Sequence, residues 1–230
     1  MLANFDFSVI TNSLPYLFFE GMRFTLTLTA LAAVGGIVLG TFIAMMRLSG
    51  LPVIPLVAKG YVNLFRSLPL VLVIFWFYFL VPYLGQWVTG ADRPMTVGAF
   101  TSSLVTFTLF EAAYFSEIMR AGIQSIPKGQ AAAASALGMT YWTSMRTVIL
   151  PQVFRNMTPI LLTQTIVLFQ DTSLVYVLSI TDFLGAASKI AQRDGRLVEM
   201  YLFAAVVYFA VCFAASLAVR HLQKKIAIIR

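Results

Sequence analysis

The stretch Phe24-Thr-Leu-Thr-Leu-Thr-Ala-Leu-Ala-Ala-Val-Gly-Gly-Ile-Val-Leu-Gly-Thr-Phe-Ile-Ala-Met-Met46 carries no charged residue along its whole length. A helix that crosses the hydrocarbon region of a bilayer needs about 20 consecutive, mostly apolar residues. This stretch meets that requirement, and it is longer and more uniformly apolar than a helix that buries only one face in a soluble core. It therefore predicts a transmembrane helix.

The rest of the chain repeats this pattern. Hydrophobic residues make up 60% of the 230 residues and charged residues only 11%, whereas a soluble domain carries about a quarter charged residues. The further candidate spans are Leu70–Leu84 with an upstream extension from Leu56, Thr96–Met119, Pro159–Ile180 and Val198–Leu222. The connections are short and leave no room for a soluble domain. We predict an all-α integral membrane protein with about five transmembrane helices.

The charges predict the orientation of these spans. If the chain starts outside, most of its 16 lysine and arginine residues fall in the cytoplasmic segments, which are the loop around Arg47 and Lys59, the segment from Arg120 to Arg155, and the tail. Such a bias is typical of cytoplasmic loops. We therefore expect a multi-pass protein with its N-terminus outside and its C-terminus in the cytoplasm. The net charge of +7 then reflects topology, and no nucleic-acid partner is needed to explain it.

The loop between the third and fourth spans contains two predicted short helices. Pro127 is suited to a first helical turn because its missing N–H is not needed there. The alanine-rich run Gln130–Leu137 has high helix propensity, and Gly138 follows where a helix end favours a left-handed residue. Thr140 is suited to cap a second helix, which we expect Pro151 to end.

The surfaces of these two helices differ. The first is nearly bare, so that another protein's backbone could approach it closely, and the second places Trp142, Met145 and Ile149 at helical spacing. Packing of the alanine-rich helix against its own bundle is the alternative interpretation.

The loop resembles the cytoplasmic signature loop of bacterial ABC importer permeases. In that family an acidic-Ala-Ala triplet precedes a glycine and then a Leu-Pro pair, and here these positions are Ala132, Ala133, Ala134, Gly138, Leu150 and Pro151. Ser116–Gln130, Phe65–Leu70 and Phe169–Val175 resemble the branch that takes up polar amino acids. The resemblance runs from about Gly21 to Leu222. Within the branch it is greatest to the smaller permease of glutamate/aspartate importers, notably across 110–116 and 167–178.

The resemblance implies a type I ABC importer permease fold and a division of the chain. It implies an external N-terminal leader at 1–20, a permease domain at 21–222 with a coupling loop at 121–151, and a cytoplasmic tail at 223–230. The residues implied to couple the chain to an ATPase are Gly129, Gln130, Ala131, Ala132, Ala133, Ala134, Gly138 and Pro151. One position departs from the family, because alanine at 132 replaces the usual acidic residue. Docking is then expected to depend on shape and backbone contacts.

The implied partners complete an importer in the bacterial inner membrane. They are a homologous second permease that forms the other half of the path, two copies of a cytoplasmic ABC ATPase, and a periplasmic solute-binding protein. ATP and Mg²⁺ would bind to the ATPase, and this chain would bind no cofactor. The implied substrate is glutamate or aspartate, and another polar amino acid such as glutamine or a basic one is the alternative.

Polar residues inside the spans are candidates for the solute path, because an ionisable group at membrane depth is costly and usually functional. In the fourth span Gln164 and Asp171 are seven residues apart, which is close to two helical turns, so they lie on the same side of a helix. The full set of candidates is Glu111, Gln164, Gln170, Asp171, Thr172 and Ser173. Hydrogen bonding between neighbouring helices is the structural alternative, and Asp171 is also suited to cap a broken helix.

Two other charged residues have local explanations. Glu117 is expected to pair with Arg120 one turn further along the helix, and Arg66 to extend towards the membrane edge. Glu111 has no such partner in sequence and is a candidate for the subunit interface.

The chain itself is not expected to be an enzyme. It has no Gly-x4-Gly-Lys-Ser/Thr loop for nucleotide, no Ser/His or Cys/His pairing, and no His/Cys/carboxylate cluster typical of a metal site. A self-contained secondary transporter is the alternative from a different class, although five spans are few for it and no inverted repeat is visible. A non-transporting scaffold would not need the alanine-glycine loop.

Overall fold

The computed structural model describes residues 5–226. The ends of the predicted leader and tail, 1–4 and 227–230, lie outside the described residues. Throughout the described part the chain is helical and contains no β-strand. The α-helices are α1 Phe7–Tyr16, α2 Arg23–Arg47, α3 Ile54–Ser67, α4 Leu70–Phe75, α5 Val81–Thr89, α6 Ala99–Ser125, α7 Lys128–Ala136, α8 Tyr141–Ser144, α9 Leu150–Asp171, α10 Phe183–Asp194 and α11 Leu197–Ile226.

Several of these helices join without a break through turns of different pitch. Three π-helical turns, at Leu17–Met22, Trp76–Leu80 and Met145–Ile149, connect neighbouring α-helices. Beyond α9 the chain tightens into a 3₁₀ helix at Thr172–Leu178. The all-helical prediction is confirmed.

Within residues 5–226, four helical stretches are long and apolar enough to cross a membrane. They are Phe7–Arg47, Leu70–Thr89, Tyr141–Leu178 and Leu197–Ile226, and they correspond to four of the five predicted spans, although the predicted Pro159–Ile180 ends beyond Leu178. The remaining predicted span, Thr96–Met119, corresponds to α6, which is long enough at 27 residues but is not among the four. Its hydropathy is lowered by Glu111 and by hydroxyl residues such as Ser102 and Thr106, which are buried. Because these polar side chains are buried against other helices, the face of α6 that carries them does not need to be apolar.

The described part of the predicted leader is helical and runs on into the first predicted span. Asp6 caps α1, accepting a hydrogen bond from the Ser8 backbone N–H at 2.9 Å, and the helix then continues through the π-turn into α2. The expected boundary at residue 20 falls inside that turn. The helix can continue because Pro15 replaces only one backbone donor, and no glycine in a left-handed conformation interrupts the stretch.

The second predicted span is interrupted near its start. Leu68 and Pro69 are extended and separate α3 from α4, so the upstream extension from Leu56 forms its own helix. The cause is local, since the residue before a proline avoids the helical region.

The chain forms two compact units, the first from 1–33, 69–107 and 165–216 and the second from 34–68, 108–164 and 217–230. In the first unit, α10 packs on the π-turn at Leu17–Met22. A Cβ added to Gly21 would lie 2.9 Å from the Ala186 Cβ, so this contact requires glycine. Phe183 and Met200 are among the buried residues that complete this core.

The second unit is built around a close contact between α2 and α6. Gly36 and Gly40, one helical turn apart, face α6, and a Cβ at position 40 would lie 2.8 Å from the Cβ of Phe115 and 2.9 Å from the carbonyl oxygen of Ala112. Small residues four apart allow two membrane helices to approach in this way. The Gly-x3-Gly spacing is visible in the sequence and is a signal that the sequence analysis did not use.

Candidate functional site

The predicted coupling loop contains α7, which is followed by a glycine in the left-handed conformation. Gly138 has φ of +75°, and its N–H donates to the carbonyl of Ser135 at 3.0 Å while the Met139 N–H donates to Ala134 at 3.1 Å. These two hydrogen bonds form a Schellman motif, in which glycine is favoured because it has no Cβ. The predicted role of Gly138 in ending this helix is confirmed.

The surface of α7 and of the turn after it is open to solvent. The predicted coupling residues on α7 are exposed except for Ala134, which is 3% exposed. Leu137 is 78% exposed and Trp142 is 63% exposed. Large apolar side chains grouped in this way are typical of a surface that meets another protein. We call α7, Leu137, Gly138 and Trp142 the docking face.

The second short helix begins as predicted but ends differently. The Thr140 side chain accepts a hydrogen bond from the Thr143 N–H at 3.3 Å, which confirms the cap. Pro151 does not end the helix, however, because the chain continues from α8 through the π-turn into α9. In the π-turn the Leu150 N–H donates to Met145, five residues back. This wider turn accommodates the proline, which has no donor for the carbonyl four residues earlier.

The expectation that Trp142, Met145 and Ile149 share one surface is wrong for two of the three. Met145 and Ile149 are 8% and 5% exposed and belong to a core cluster with Met119 of α6. The widened turn changes the helical phase, so these side chains point inward while Trp142 stays outside. The loop is therefore connected to α6 through buried contacts.

A cluster of charges lies beside this core. The Glu117 carboxylate pairs with Arg120 at 2.8 Å, as predicted, but also with Arg47 of α2 at 2.9 Å and Arg66 of α3 at 3.2 Å. Arg66, which we expected to extend towards the membrane edge, therefore also has a partner within the chain. Its guanidinium also lies 5.6 Å from the centre of the Tyr114 ring. Glu117 thus joins three helices of the second unit.

Of the candidates for the solute path, Gln164 and Glu111 are brought together. The Gln164 Nε2 donates to the Glu111 Oε2 at 3.0 Å. Glu111 has no exposed surface, so the expectation that it lies at a subunit interface is wrong, whereas Gln164 is partly exposed. A fully buried carboxylate that binds an accessible amide gives that amide a fixed orientation.

The remaining path candidates belong to the first unit. Thr172 is buried and bonds to the carbonyl of Phe169 at 2.7 Å. Gln170 and Ser173 line a cavity of about 320 Å³. Asp171 ends α9, but its side chain caps no helix, because its backbone is still helical where the 3₁₀ turn begins.

Sequence reasoning missed the helix α10 between the last two long spans. Asp182 caps it, accepting from the N–H groups of Leu184 at 3.0 Å and Gly185 at 2.9 Å, and Gly195 ends it with φ of +66°. An Asp cap and a terminal glycine are signals that could have found it. Burial raises the pKa of the Asp182 carboxyl to about 7, although the two backbone donors oppose the rise.

The charged residues near the ends of α10 and α1 are mostly paired. The Arg193 guanidinium lowers the pKa of the exposed Asp194 carboxyl, and Arg196 pairs with Glu199 at 3.2 Å and with Asp6 at 3.8 Å. Hydrogen bonds from Ser8 lower the pKa of Asp6. Over the described part of the chain, no three His, Cys, Asp or Glu side chains are grouped to hold a metal ion.

This chain is similar to known membrane proteins over nearly its whole length. The family model described as "Binding-protein-dependent transport system inner membrane component" matches residues 36–228. The glutamate/aspartate import permease protein GltK of Escherichia coli O6:H1 is 56% identical over 226 residues, which cover 98% of this chain and 100% of that protein. The glutamine transport system permease protein GlnP of Escherichia coli K12 is 31% identical, over 98% of this chain and 99% of that protein.

A solved structure gives the same answer for the fold. A chain in the crystal structure of an amino acid ABC transporter with histidines has a TM-score of 0.80 and 34% sequence identity, and the match covers 96% of this chain and 98% of that one.

Proposed function

Because this chain belongs to the family of binding-protein-dependent transport system inner membrane components, we propose that it is the permease subunit of an ATP-driven importer for glutamate and aspartate. The observation that supports this choice of substrate is the 56% identity to the glutamate/aspartate permease over 98% of this chain, compared with 31% identity to the glutamine permease. The difference extends over equally long matches, so it does not arise from a shared fragment.

In this proposal the chain forms half of a translocation path with a homologous second permease. Two copies of a separate ATPase bind ATP with Mg²⁺ on the cytoplasmic side, and a solute-binding protein delivers the amino acid from outside. The chain itself performs no covalent chemistry.

The docking face is the proposed contact with the ATPase. Ala132 supplies no carboxylate for an ion pair there. The contact with the ATPase is therefore stabilised by shape complementarity and by the exposed apolar side chains of Leu137 and Trp142. A displacement of α7 and α8 then reaches α6 through the buried Met145 and Ile149. Gly122 of α6 strengthens this connection, because a Cβ there would lie 2.8 Å from Val153 of α9. Closely packed side chains transmit such shifts because interiors are not compressible.

Reconstitution tests the proposal. Proteoliposomes that hold the complete complex with internal ATP and external binding protein are supplied with labelled glutamate, aspartate, glutamine or arginine. We expect accumulation of glutamate and aspartate only, and only with ATPase and binding protein present. Preferential accumulation of glutamine or arginine would show that the substrate is wrong. Uptake on an ion gradient without the ATPase would indicate a secondary transporter instead.

Gln164 provides a residue-level test of the solute path. We expect Gln164→Leu to lower glutamate uptake about tenfold, the ratio that corresponds to roughly 1.4 kcal/mol, while basal ATP hydrolysis and complex assembly persist. The matched control is Thr163→Val, since the Thr163 hydroxyl donates a hydrogen bond to its own helix, at the carbonyl of Pro159. Equal uptake by both variants would mean that Gln164 serves packing alone.

A further inference from the structure

Within the first unit, a cavity of about 560 Å³ lies beside the π-turn that joins α1 to α2. Its polar wall contains Glu20, Arg23, Thr27, Ser179 and Thr181. Its volume is in the range of pockets that hold small molecules. This end of the helices is the one that the basic residues of the sequence predict to lie outside.

The two charged residues of this wall do not pair with each other. Glu20 and Arg23 are three apart, a spacing that brings side chains together on an α-helix. Here Glu20 lies in the π-turn at Leu17–Met22, which holds more residues per turn, and Arg23 begins α2, so the α-helical spacing does not apply. Among residues 5–226 neither side chain forms an ion pair, in contrast to Arg193 and Arg196 nearby in the same unit. The turn therefore presents a free carboxylate and a free guanidinium to the same cavity.

The same polar wall contains a strained residue, and a third charge lies behind it. Ser179 has φ of +59°, the one non-glycine residue in the described part of the chain with positive φ. Backbone strain of this kind concentrates at binding sites and catalytic sites. Two residues later, the Thr181 hydroxyl accepts a hydrogen bond from the Lys189 ammonium, so a second cation lies directly behind the wall.

We propose that this cavity is a second, outer binding site for an acidic amino acid. The inference rests on the proposed function and extends it to a site built from other residues than those of the docking face. The guanidinium of Arg23 suits the α-carboxylate, which it can bind through two parallel N–H donors. The Glu20 carboxylate suits the α-ammonium group. The second carboxylate of the substrate is met by Thr181, backed by Lys189.

This arrangement supplies the positive charge that an acidic substrate needs. Two cations and one anion around the cavity complement the two carboxylates and one ammonium of glutamate or aspartate. The aromatic rings of Phe24 and Phe100, 5.5 Å apart edge to face, form an apolar side of the same cavity. Apolar and aromatic side chains beside a few polar groups are usual in pockets that hold small molecules.

Equilibrium binding of labelled L-glutamate tests the site. The complex of this chain with its second permease and ATPase is held in nanodiscs, without binding protein and without ATP. We expect saturable binding that Arg23→Gln weakens at least tenfold. The matched control is Arg93→Gln, because Arg93 is an exposed cation of the same unit that does not line this cavity. It should change the affinity by less than twofold.

A second arm tests the ammonium contact with glutarate, which has both carboxylates but no ammonium group. The wild type should bind glutamate at least fivefold more tightly than glutarate, and Glu20→Gln should remove that preference. Absence of saturable glutamate binding, equal affinity of the Arg23 and Arg93 variants, or an unchanged preference in Glu20→Gln would each overturn the proposal. So would loss of binding in Gln164→Leu combined with normal binding in Arg23→Gln, because the glutamate would then sit on α9.

The failure of this site and the failure of the proposed function give different results. If the complete system accumulates glutamate while the nanodisc complex fails the binding tests, only the outer site is wrong. If the complete system accumulates a different amino acid, the acidic-substrate site is wrong together with the function on which it rests.

Discussion

The carboxylate of Glu117 is the meeting point of arginines from three helices. Arg47 has a side chain only 12% exposed, so its charge is largely removed from water and depends on a partner. Arg120 follows one turn after Glu117, which is why the sequence predicted that pair. Arg47 and Arg66 lie far away in sequence, and no local spacing reveals them. Contacts of this kind arise from tertiary packing, and the spacing of residues in the sequence does not predict them.

Neutralising this carboxylate should therefore destabilise the second unit. We expect Glu117→Gln to lower the free energy of unfolding by about 2 kcal/mol, within the range for hydrogen bonds to charged groups, because three guanidinium groups lose their shared counter-charge. Thermal denaturation of the purified protein in detergent measures the effect. Asp194→Asn is the control, since its pair with Arg193 is exposed and should contribute nothing measurable. Equal melting temperatures for the two variants would contradict the prediction.

Asp182 should make stability depend on pH in an unusual direction. Its pKa is raised to about 7 by burial, so between about pH 4 and pH 7 the folded protein holds a proton that the unfolded chain has released. Stability should therefore fall as pH rises through this window, by at most about 1.4 kcal/mol per pH unit.

The test is a comparison with Asp182→Asn across the same pH range. Asparagine caps helices as well as aspartate does, so α10 should remain, but the variant cannot titrate. We expect the difference in unfolding free energy between the variant and the wild type to grow from pH 4 to pH 7. A constant difference would mean that Asp182 is ionised throughout.

Some features of the coupling loop are determined by the local sequence, and others are not. The end of α7 and the start of α8 depend on a left-handed glycine and a threonine cap, which are chemical properties of Gly138 and Thr140 themselves. The path of the chain past Pro151 depends on a π-turn, and no residue type specifies that turn. This is why the sequence predicted the corner correctly and placed Met145 and Ile149 on the wrong side.

Substitutions at Gly138 test whether this corner couples the ATPase to transport. Within residues 5–226 a Cβ at this position would meet nothing within 4 Å, so among these residues it is the backbone conformation, with φ of +75°, that opposes a side chain. That cost is about 1 kcal/mol or more for most residues, and it is smaller for asparagine. We expect Gly138→Val to insert and fold but to lose the ATPase on co-purification or to separate ATP hydrolysis from uptake.

The order of the milder variants separates two causes. If backbone conformation dominates, Gly138→Asn should be closer to the wild type than Gly138→Ala, and if contact with the ATPase dominates, the larger asparagine should be worse. Co-purification and uptake at matched membrane expression measure both. A fully active valine variant would exclude the loop as the coupling element.

At the scale of the whole molecule, the apolar runs predicted all five long helical stretches, including α6, although α6 is not among the four that are apolar enough to cross a membrane. α6 is amphipathic for a membrane helix, because Glu111 and its hydroxyl residues are turned inward, and hydropathy alone underestimates such a helix. The helix α10 was missed for a different reason. A helix of 12 residues contains no long apolar run, so its caps at Asp182 and Gly195 are its main signal in the sequence. The path candidates were chosen as polar residues at membrane depth, but which of them meet, as Gln164 and Glu111 do, depends on packing.

The orientation of the chain remains a prediction from its charges, and single cysteines test it. In a Cys212→Ser background, cysteines that replace Asp92 or Asp194 should react with a membrane-impermeant maleimide in intact cells. Cysteines at Lys128 or Lys224 should react only after the membrane is opened. All four positions are exposed, so burial will not hide them. Labelling at position 128 but not at position 92 would reverse the topology.

The glycine contact between α2 and α6 has a consequence for the order in which the protein is made. Gly36 and Gly40 are synthesised well before Ala112 and Phe115. The glycine face of α2 is therefore in the bilayer before α6 is present to pack against it. Waiting costs little, since a helix has already satisfied its backbone hydrogen bonds and lipid tails fill the groove. A larger side chain at position 40 would enter the bilayer just as readily and would obstruct only the later pairing. A fault at this contact is therefore one of assembly, which the insertion machinery has no means to detect.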